Sequence, residues 1–336
     1  MKQSRFSIHE KLAIIFVMAL VCGPIANGQA GTGTISGAVT DTTGAALANT
    51  KVTIKEKSSG QSRELTSQNN GAFVATALPI GEYTVQAEVA GFQIQVQSGI
   101  ILQAGREERV DLVLKVGIRS DIMTVDASEA PLRTTSAEVG EVIAKERIAS
   151  LPLNGRQFVD LTLLSDNVFK APRGTRGSAL AQTGTGVLVA GQRAGHNMYY
   201  LDGVSVTDQY FNHLVAAPPL DAIAEFNIQK SIYAPEFGGK ASATISAIIK
   251  SGTNAVHGSA YEYFRNDVLD ARNFFDPNKK PPYRQNQFGA TIGGPIHEDR
   301  TFYFLSYEGL RVRQSQTQLF SVPTATVRRG DFTGLP

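Results

Sequence analysis

The stretch Arg193 to Val204 reads RAGHNMYYLDGV and gathers one histidine, one aspartate, one arginine and two tyrosines. Such residue types could serve acid–base or nucleophilic chemistry. Nucleophilic catalysis needs a nucleophile, a base and an orienting group that converge. No Ser or Cys stands beside His196 in this stretch. Nor do the five histidines of the chain show zinc-ligand spacing, so no metal site is expected. The pair Asp202-Gly203 is instead a hairpin signal, because Gly accepts positive φ at a tight turn. A structural role is therefore expected: Gly203 makes the turn, Asp202 caps it, and Arg193 pairs with a carboxylate. Gly31-Thr-Gly33 and Gly184-Thr-Gly186 lack the strand–helix context of a phosphate loop and read as turns. No catalytic residue, metal or cofactor is expected.

The elements that must position these residues follow from composition and pattern. In 336 residues the chain has 32 Gly, no Trp and only 18% charged residues, which suits an all-β protein with many turns. Residues 1–30 read as a secretory signal: Lys2, Arg5 and Lys11 are basic, and Leu12 to Cys22 is apolar but too short to span a bilayer. Val21 stands where lipidation of Cys22 would want a small residue. Removing this segment leaves basic and acidic residues in equal number and takes away the single Cys. That excludes disulfides and a cysteine nucleophile, and a neutral chain without a basic stripe gives no footprint for nucleic acid. No later segment has the run of 18 apolar residues that a membrane helix needs.

From Thr34 to Val116 short strands alternate with Gly turns. Tyr83, Val85, Ala87 and Val89 alternate with Thr84, Gln86 and Glu88, the period of a half-buried strand. Several such strands predict a small β-sandwich over residues 31–116. A polar linker, 117–135, carries the β-prone run Ile122-Met123-Thr124-Val125-Asp126. Val139, Val142 and Ile143, with acids early and bases late, predict a helix within Glu138 to Ile148. Pro172 to Gly186 reads as a loop. Beyond Gly258 the alternation changes sign: Gln287, Gly289, Thr291 and Gly293 alternate with Phe288, Ala290 and Ile292. One small or polar face and one apolar, aromatic face is the pattern of outer-membrane barrel strands.

Two resemblances add to this. SGAVTDTTGAALANTKVTI, NNGAFVATALPIGEYTVQAEVAGF and VDLVLKV together resemble the carboxypeptidase regulatory-like domain, a prealbumin-like sandwich and accessory module. LPLNGRQF, GQRAGHNMYYLDGV and YAPEFGGKASATISAIIKSGTNAVHGSAYEYFRND, followed by NFFD, NQFGATIGGPI and TFYFLSYEGLR, resemble TonB-dependent outer-membrane receptors of the Oar-like subgroup.

The resemblance implies a mainly β chain: signal peptide 1–30, prealbumin-like sandwich 31–116, linker 117–135, α+β plug 136–254, and the first strands of an incomplete transmembrane β-barrel, 255–336. It implies energised uptake of an unidentified extracellular substrate across the outer membrane, driven by TonB with ExbB and ExbD, and contact with outer-membrane lipid through the barrel. Residues 122–126 resemble a TonB box, whose capture as an edge strand rests mainly on main-chain hydrogen bonds. Arg156 and Arg193 become candidate plug arginines that meet acids on the barrel wall. By the alternation Glu262 and Glu308 fall on lumen-facing phases as their partners. Residues 257–336 supply only three or four strands where such a barrel needs about 22, so the chain is expected to be a fragment or a truncated product. The alternative reading is a periplasmic or surface module in which the prealbumin-like domain binds carbohydrate or protein. A hydrolase ranks last.

Overall fold

The computed structural model describes residues 31–117, 122–126, 139–144, 147–148, 153, 156–171, 186–193, 195–208, 210, 212, 214–231, 239, 241–272, 280–314 and 322–333. The expected signal segment and nearly all of the Gly/Thr/Arg-rich loop lie outside the described residues.

The first region is a sandwich of two sheets. One sheet contains β1 (Thr32–Asp41), β4 (Ala72–Pro79), β7 (Glu107–Arg109) and β8 (Leu112–Leu114), with β1 antiparallel to β4 and parallel to β7 and β8. The other contains β2 (Lys51–Glu56), β3 (Ser62–Thr66), β5 (Gly81–Glu88), β6 (Ile94–Leu102) and β9 (Ile122–Asp126), in the order β3-β2-β5-β6-β9. Tyr83, Val85 and Ala87 are buried while the residues between them are not, as the alternation requires. They pack with Ile35, Val52, Phe73 and Leu112. Burial pushes the pKa of the Tyr83 hydroxyl up, and that hydroxyl donates to the Pro79 carbonyl at 2.8 Å.

The second region is built on a five-stranded sheet: β10 (Val139–Ala144), β13 (Met198–Leu201), β14 (Val204–Ser205), β15 (Ile223–Ser231) and β16 (Thr244–Ile249), in the order β10-β15-β16-β13-β14. A short pair, β11 (Val168–Lys170) with β12 (Val187–Val189), and a 3-10 helix at Phe158–Leu164 accompany it. Phe226 and Ile228 of β15 join Phe158 and Leu161 in the core, and the Phe158 and Phe226 rings meet edge-on with centroids 5.3 Å apart.

Here one expectation is corrected. The segment predicted as a helix between Glu138 and Ile148 forms strand β10, antiparallel to β15, over Val139–Ala144. Its β-branched residues Val139, Val142 and Ile143 lose less in a strand than in a helix. Pairing with β15 supplies hydrogen bonds that spacing alone does not weigh. Among the described residues of this segment, Arg147 and Ile148 are helical.

The third region is a sheet of β17 (His257–Asn266), β18 (Tyr283–His297) and β19 (Thr301–Gln314), in the order β17-β18-β19, followed by one helical turn at Ala325–Arg328. Its burial is inverted. Gln287 and Thr291 are buried, whereas Phe264, Ile292, Leu305 and Tyr307 stand exposed. Among the described residues no helix is long and apolar enough to cross a membrane.

Candidate functional site

Strand β9 holds the five residues singled out as a TonB box. They lie parallel to β6 in unbroken register, Ile94 opposite Ile122, Gln95 opposite Met123, Val96 opposite Thr124, Gln97 opposite Val125 and Ser98 opposite Asp126. This segment, expected as a β-prone run within a polar linker, is the edge strand of the sandwich sheet among the described residues. Local composition could show that it is β-prone; its partner lies 28 residues upstream and is set by the fold.

The Arg193–Val204 stretch contains the hairpin of β13 and β14. Asp202 and Gly203 have φ of 48° and 78°, so both central residues of the two-residue turn between β13 and β14 are left-handed. That is the geometry of a type I′ turn, whose twist matches the flanking strands. The Asp202 carboxylate bonds outside its own turn. Its Oδ1 accepts from the Ile249 N–H at 2.9 Å and its own N–H donates to the Ala247 carbonyl at 3.0 Å, which prolongs the parallel β13–β16 pairing. Arg193 is exposed and pairs with no carboxylate among the described residues; its carbonyl accepts from the His196 N–H. His196 is also exposed. Among the described residues of the stretch, Asn197 and Tyr199 are buried. Asn197 bridges elements, its Nδ2 donating to the Val187 carbonyl at 3.0 Å and its Oδ1 accepting from the Ala243 N–H. Burial pushes the Tyr199 hydroxyl up to about 12. No group of His, Cys, Asp and Glu able to hold a metal occurs among the described residues.

Arg156 is buried, with φ of 45°, and its Nη2 meets Asp221 Oδ2 at 2.5 Å. The alternation and the resemblance point to Glu262 and Glu308 as its partners; the structure supplies Asp221 from within the same region. Lys250 Nζ donates to the Asp221 carbonyl at 2.7 Å. The cluster therefore ties the 3-10 turn at Leu220–Ala222 to Arg156, just before the 3-10 helix at Phe158–Leu164, and to the end of β16. A partner 65 residues away is invisible to local spacing.

In the third region the two acids separate. The Tyr261 hydroxyl crosses Gly289, where a side chain would collide with it, and donates to Glu308 Oε2 at 2.8 Å. Ser259 Oγ meets Thr291 Oγ1 on the same side. Tyr261, Gly289, Thr291 and Glu308 thus share the small, polar face. Since successive strand residues face opposite sides, Glu262 stands on the other face with Phe288, Ala290 and Tyr307, whose rings (Phe288 and Tyr307) lie 6.3 Å apart. Glu262 and Glu308, expected on one phase, therefore lie on opposite faces of the sheet.

A polar contact that pattern did not signal joins the first two regions. Glu225 lies on β15, on the face opposite Phe226. Its Oε1 accepts from the buried Ala104 N–H at 3.0 Å. Burial pushes its carboxyl up, while that hydrogen bond and the Arg106 charge pull it part of the way back. Beside it Gly31 packs where a side chain would collide with Ile248.

Comparison with known proteins identifies the ends of this arrangement. Residues 34–115 match the carboxypeptidase regulatory-like domain and residues 248–336 match the outer membrane beta barrel domain. The TonB-dependent transporter Oar of Myxococcus xanthus is 26% identical over 263 residues, 74% of this chain and 24% of that protein. The chain is similar to a TonB-dependent transporter. It spans about a quarter of the length of this curated relative. The two matched domains are too short to hold 263 residues, so the likeness to Oar takes in residues between them. The siderophore receptor PirA from Acinetobacter baumannii aligns at a TM-score of 0.40 and 18% identity, over 52% of this chain and 24% of that one. A catechol 1,2-dioxygenase from Acinetobacter sp. ADP1 aligns over 30% of this chain and 60% of its own, at a TM-score of 0.23 and 11% identity. The relative is a transporter rather than an enzyme, and the barrel-domain match places the chain at the outer membrane.

Proposed function

We propose that this chain is the N-terminal part of a TonB-dependent outer-membrane receptor that takes up an extracellular substrate, its identity open. The likeness to a TonB-dependent transporter over 74% of the chain carries this reading. Residues 31–116 are the accessory sandwich, 136–254 the plug, and 255–336 the first barrel strands, whose apolar face meets lipid. Residues 122–126 are the segment that TonB, energised through ExbB and ExbD, captures and pulls. The Asp202-Gly203 hairpin and the Arg156–Asp221 pair keep the plug sheet and its overlying turns in one piece. Lys250 lies at the end of that sheet, where the chain passes into the barrel. Binding of the periplasmic domain of TonB to the chain, measured calorimetrically, tests this. Val125→Pro removes a main-chain donor from a short strand and is expected to lower affinity at least about tenfold. Unchanged affinity would move the TonB site elsewhere.

A further inference from the structure

We propose that β9 is a latch: the sandwich holds the candidate TonB box on the edge of β6, and the box must peel away before a pull reaches the plug. This rests on the reading of Ile122–Asp126 as the box and adds a step to it.

The holding contact is built on both sides of the short stretch that precedes β9. As the chain leaves β8 it is pinned against the start of β6. The Gln93 N–H donates to the Lys115 carbonyl at 2.8 Å, Phe92 bridges Val116, and the Gly117 N–H donates to the Gly91 carbonyl at 3.2 Å. The Gln93 side chain fills the space at Gly117, with its Cγ 2.5 Å from where a Cβ would stand. Residue 122 then begins five unbroken pairs with β6. The anchor at 115–117 thus delivers the chain to β6 within a few residues, which favours this register.

The two sides of β6 differ. Its inner neighbour β5 pairs antiparallel over Gly81–Leu102 to Ala87–Gln95, whereas β9 pairs parallel over five residues. Parallel pairing is the weaker kind per residue, and β9 lacks a further strand on its outer side among the described residues. Under load β9 leaves β6 before β6 leaves β5. Connectivity makes that order matter. The box stands between the sandwich and β10, the first strand of the plug sheet. While β9 stays on β6, displacement of the box is resisted by the sandwich and the plug feels none of it. Once β9 departs, β6 is left as an open edge, a template for pairing with another strand.

A cysteine pair tests the latch. Val96 pairs with Gln86 of β5, on the sheet face opposite buried Val85 and Ala87, and its partner on β9 is Thr124. In the full chain with Cys22 replaced by Ser, Val96→Cys with Thr124→Cys should cross-link in most molecules on mild oxidation. The shifted pair Val96→Cys with Met123→Cys should lag several-fold. Equal cross-linking of the two would overturn the held strand. The oxidised in-register variant should then bind the TonB periplasmic domain at least about tenfold more weakly than its reduced form. Equal affinity would overturn the release step and put TonB on the outer edge of β9. Selective cross-linking with no TonB binding in either redox state would overturn the box reading instead, with β9 shown to be held.

Discussion

The sandwich sheet and the barrel sheet follow the same period with opposite sign. In β5 the apolar residues Tyr83, Val85 and Ala87 are buried and the polar ones face out. In β18 Gln287, Thr291, Gly293 and Gly294 are buried, and Ile292 faces out. Period two says only that a segment is a strand. Which half of the alternation is buried separates the pattern of a sheet packed in water from the pattern of an outer-membrane barrel sheet.

The largest effect that would break this contrast comes from the same substitution at both places. Val85→Asp buries an unpaired charge and is expected to cost about 4–5 kcal/mol, enough to unfold the sandwich. Ile292→Asp should leave sandwich stability in water unchanged and should impair only insertion into bilayers. Chemical denaturation and vesicle insertion measure the two; equal loss of sandwich stability would contradict the assignment of faces. A smaller effect separates buried from exposed charge. Arg156→Ala strands Asp221 and is expected to cost about 3 kcal/mol. Lys51→Ala, which removes an exposed partner of Glu64, should cost about 0–1 kcal/mol. Similar losses in urea titrations would show that Arg156 is not structurally buried in solution.

The smallest effect lies where the sandwich meets the five-stranded sheet of the second region. The Glu225 carboxyl is raised in the folded chain above its ordinary 4.5, mainly by burial. The folded state therefore holds its proton more tightly than the unfolded state. Stability from this group is present below the ordinary value and is lost as pH rises through the raised one. Glu225→Gln keeps an acceptor for the Ala104 N–H and carries no charge. It should flatten this part of the stability–pH profile and raise stability slightly, by less than about 1 kcal/mol, at neutral pH. A profile identical to the parent would remove Glu225 from the account.

How much of this was legible beforehand depended on whether the signal was local. Alternation along β5 and β18 and the Asp202-Gly203 turn lie within a few residues, and both could be read directly. The segment Val139–Ala144 misled because its apolar spacing fits a helix, while the β15 partner that decides the matter lies about 85 residues on. Asp221 as the partner of Arg156, the bridge made by Asn197 and the seat of Glu225 under Ala104 are all products of chain meeting chain. Asn197 lies between His196 and Asp202, and its side-chain type carries no local signal of the bridge that it makes. Glu262 and Glu308 look alike by type because neighbouring positions of β17 both carry polar atoms; the Tyr261–Glu308 and Ser259–Thr291 contacts put them on opposite faces.

The central claim is that the outward face of the β17–β19 sheet meets lipid. The chain has no Trp, so one introduced Trp reports alone. Ile292→Trp sits on the apolar face and Ser306→Trp on the polar face, two residues from Glu308. With the protein inserted in vesicles containing brominated lipid, Ile292→Trp fluorescence should be strongly quenched and Ser306→Trp fluorescence should be nearly unaffected. Equal quenching, or the reverse order, would contradict the claim.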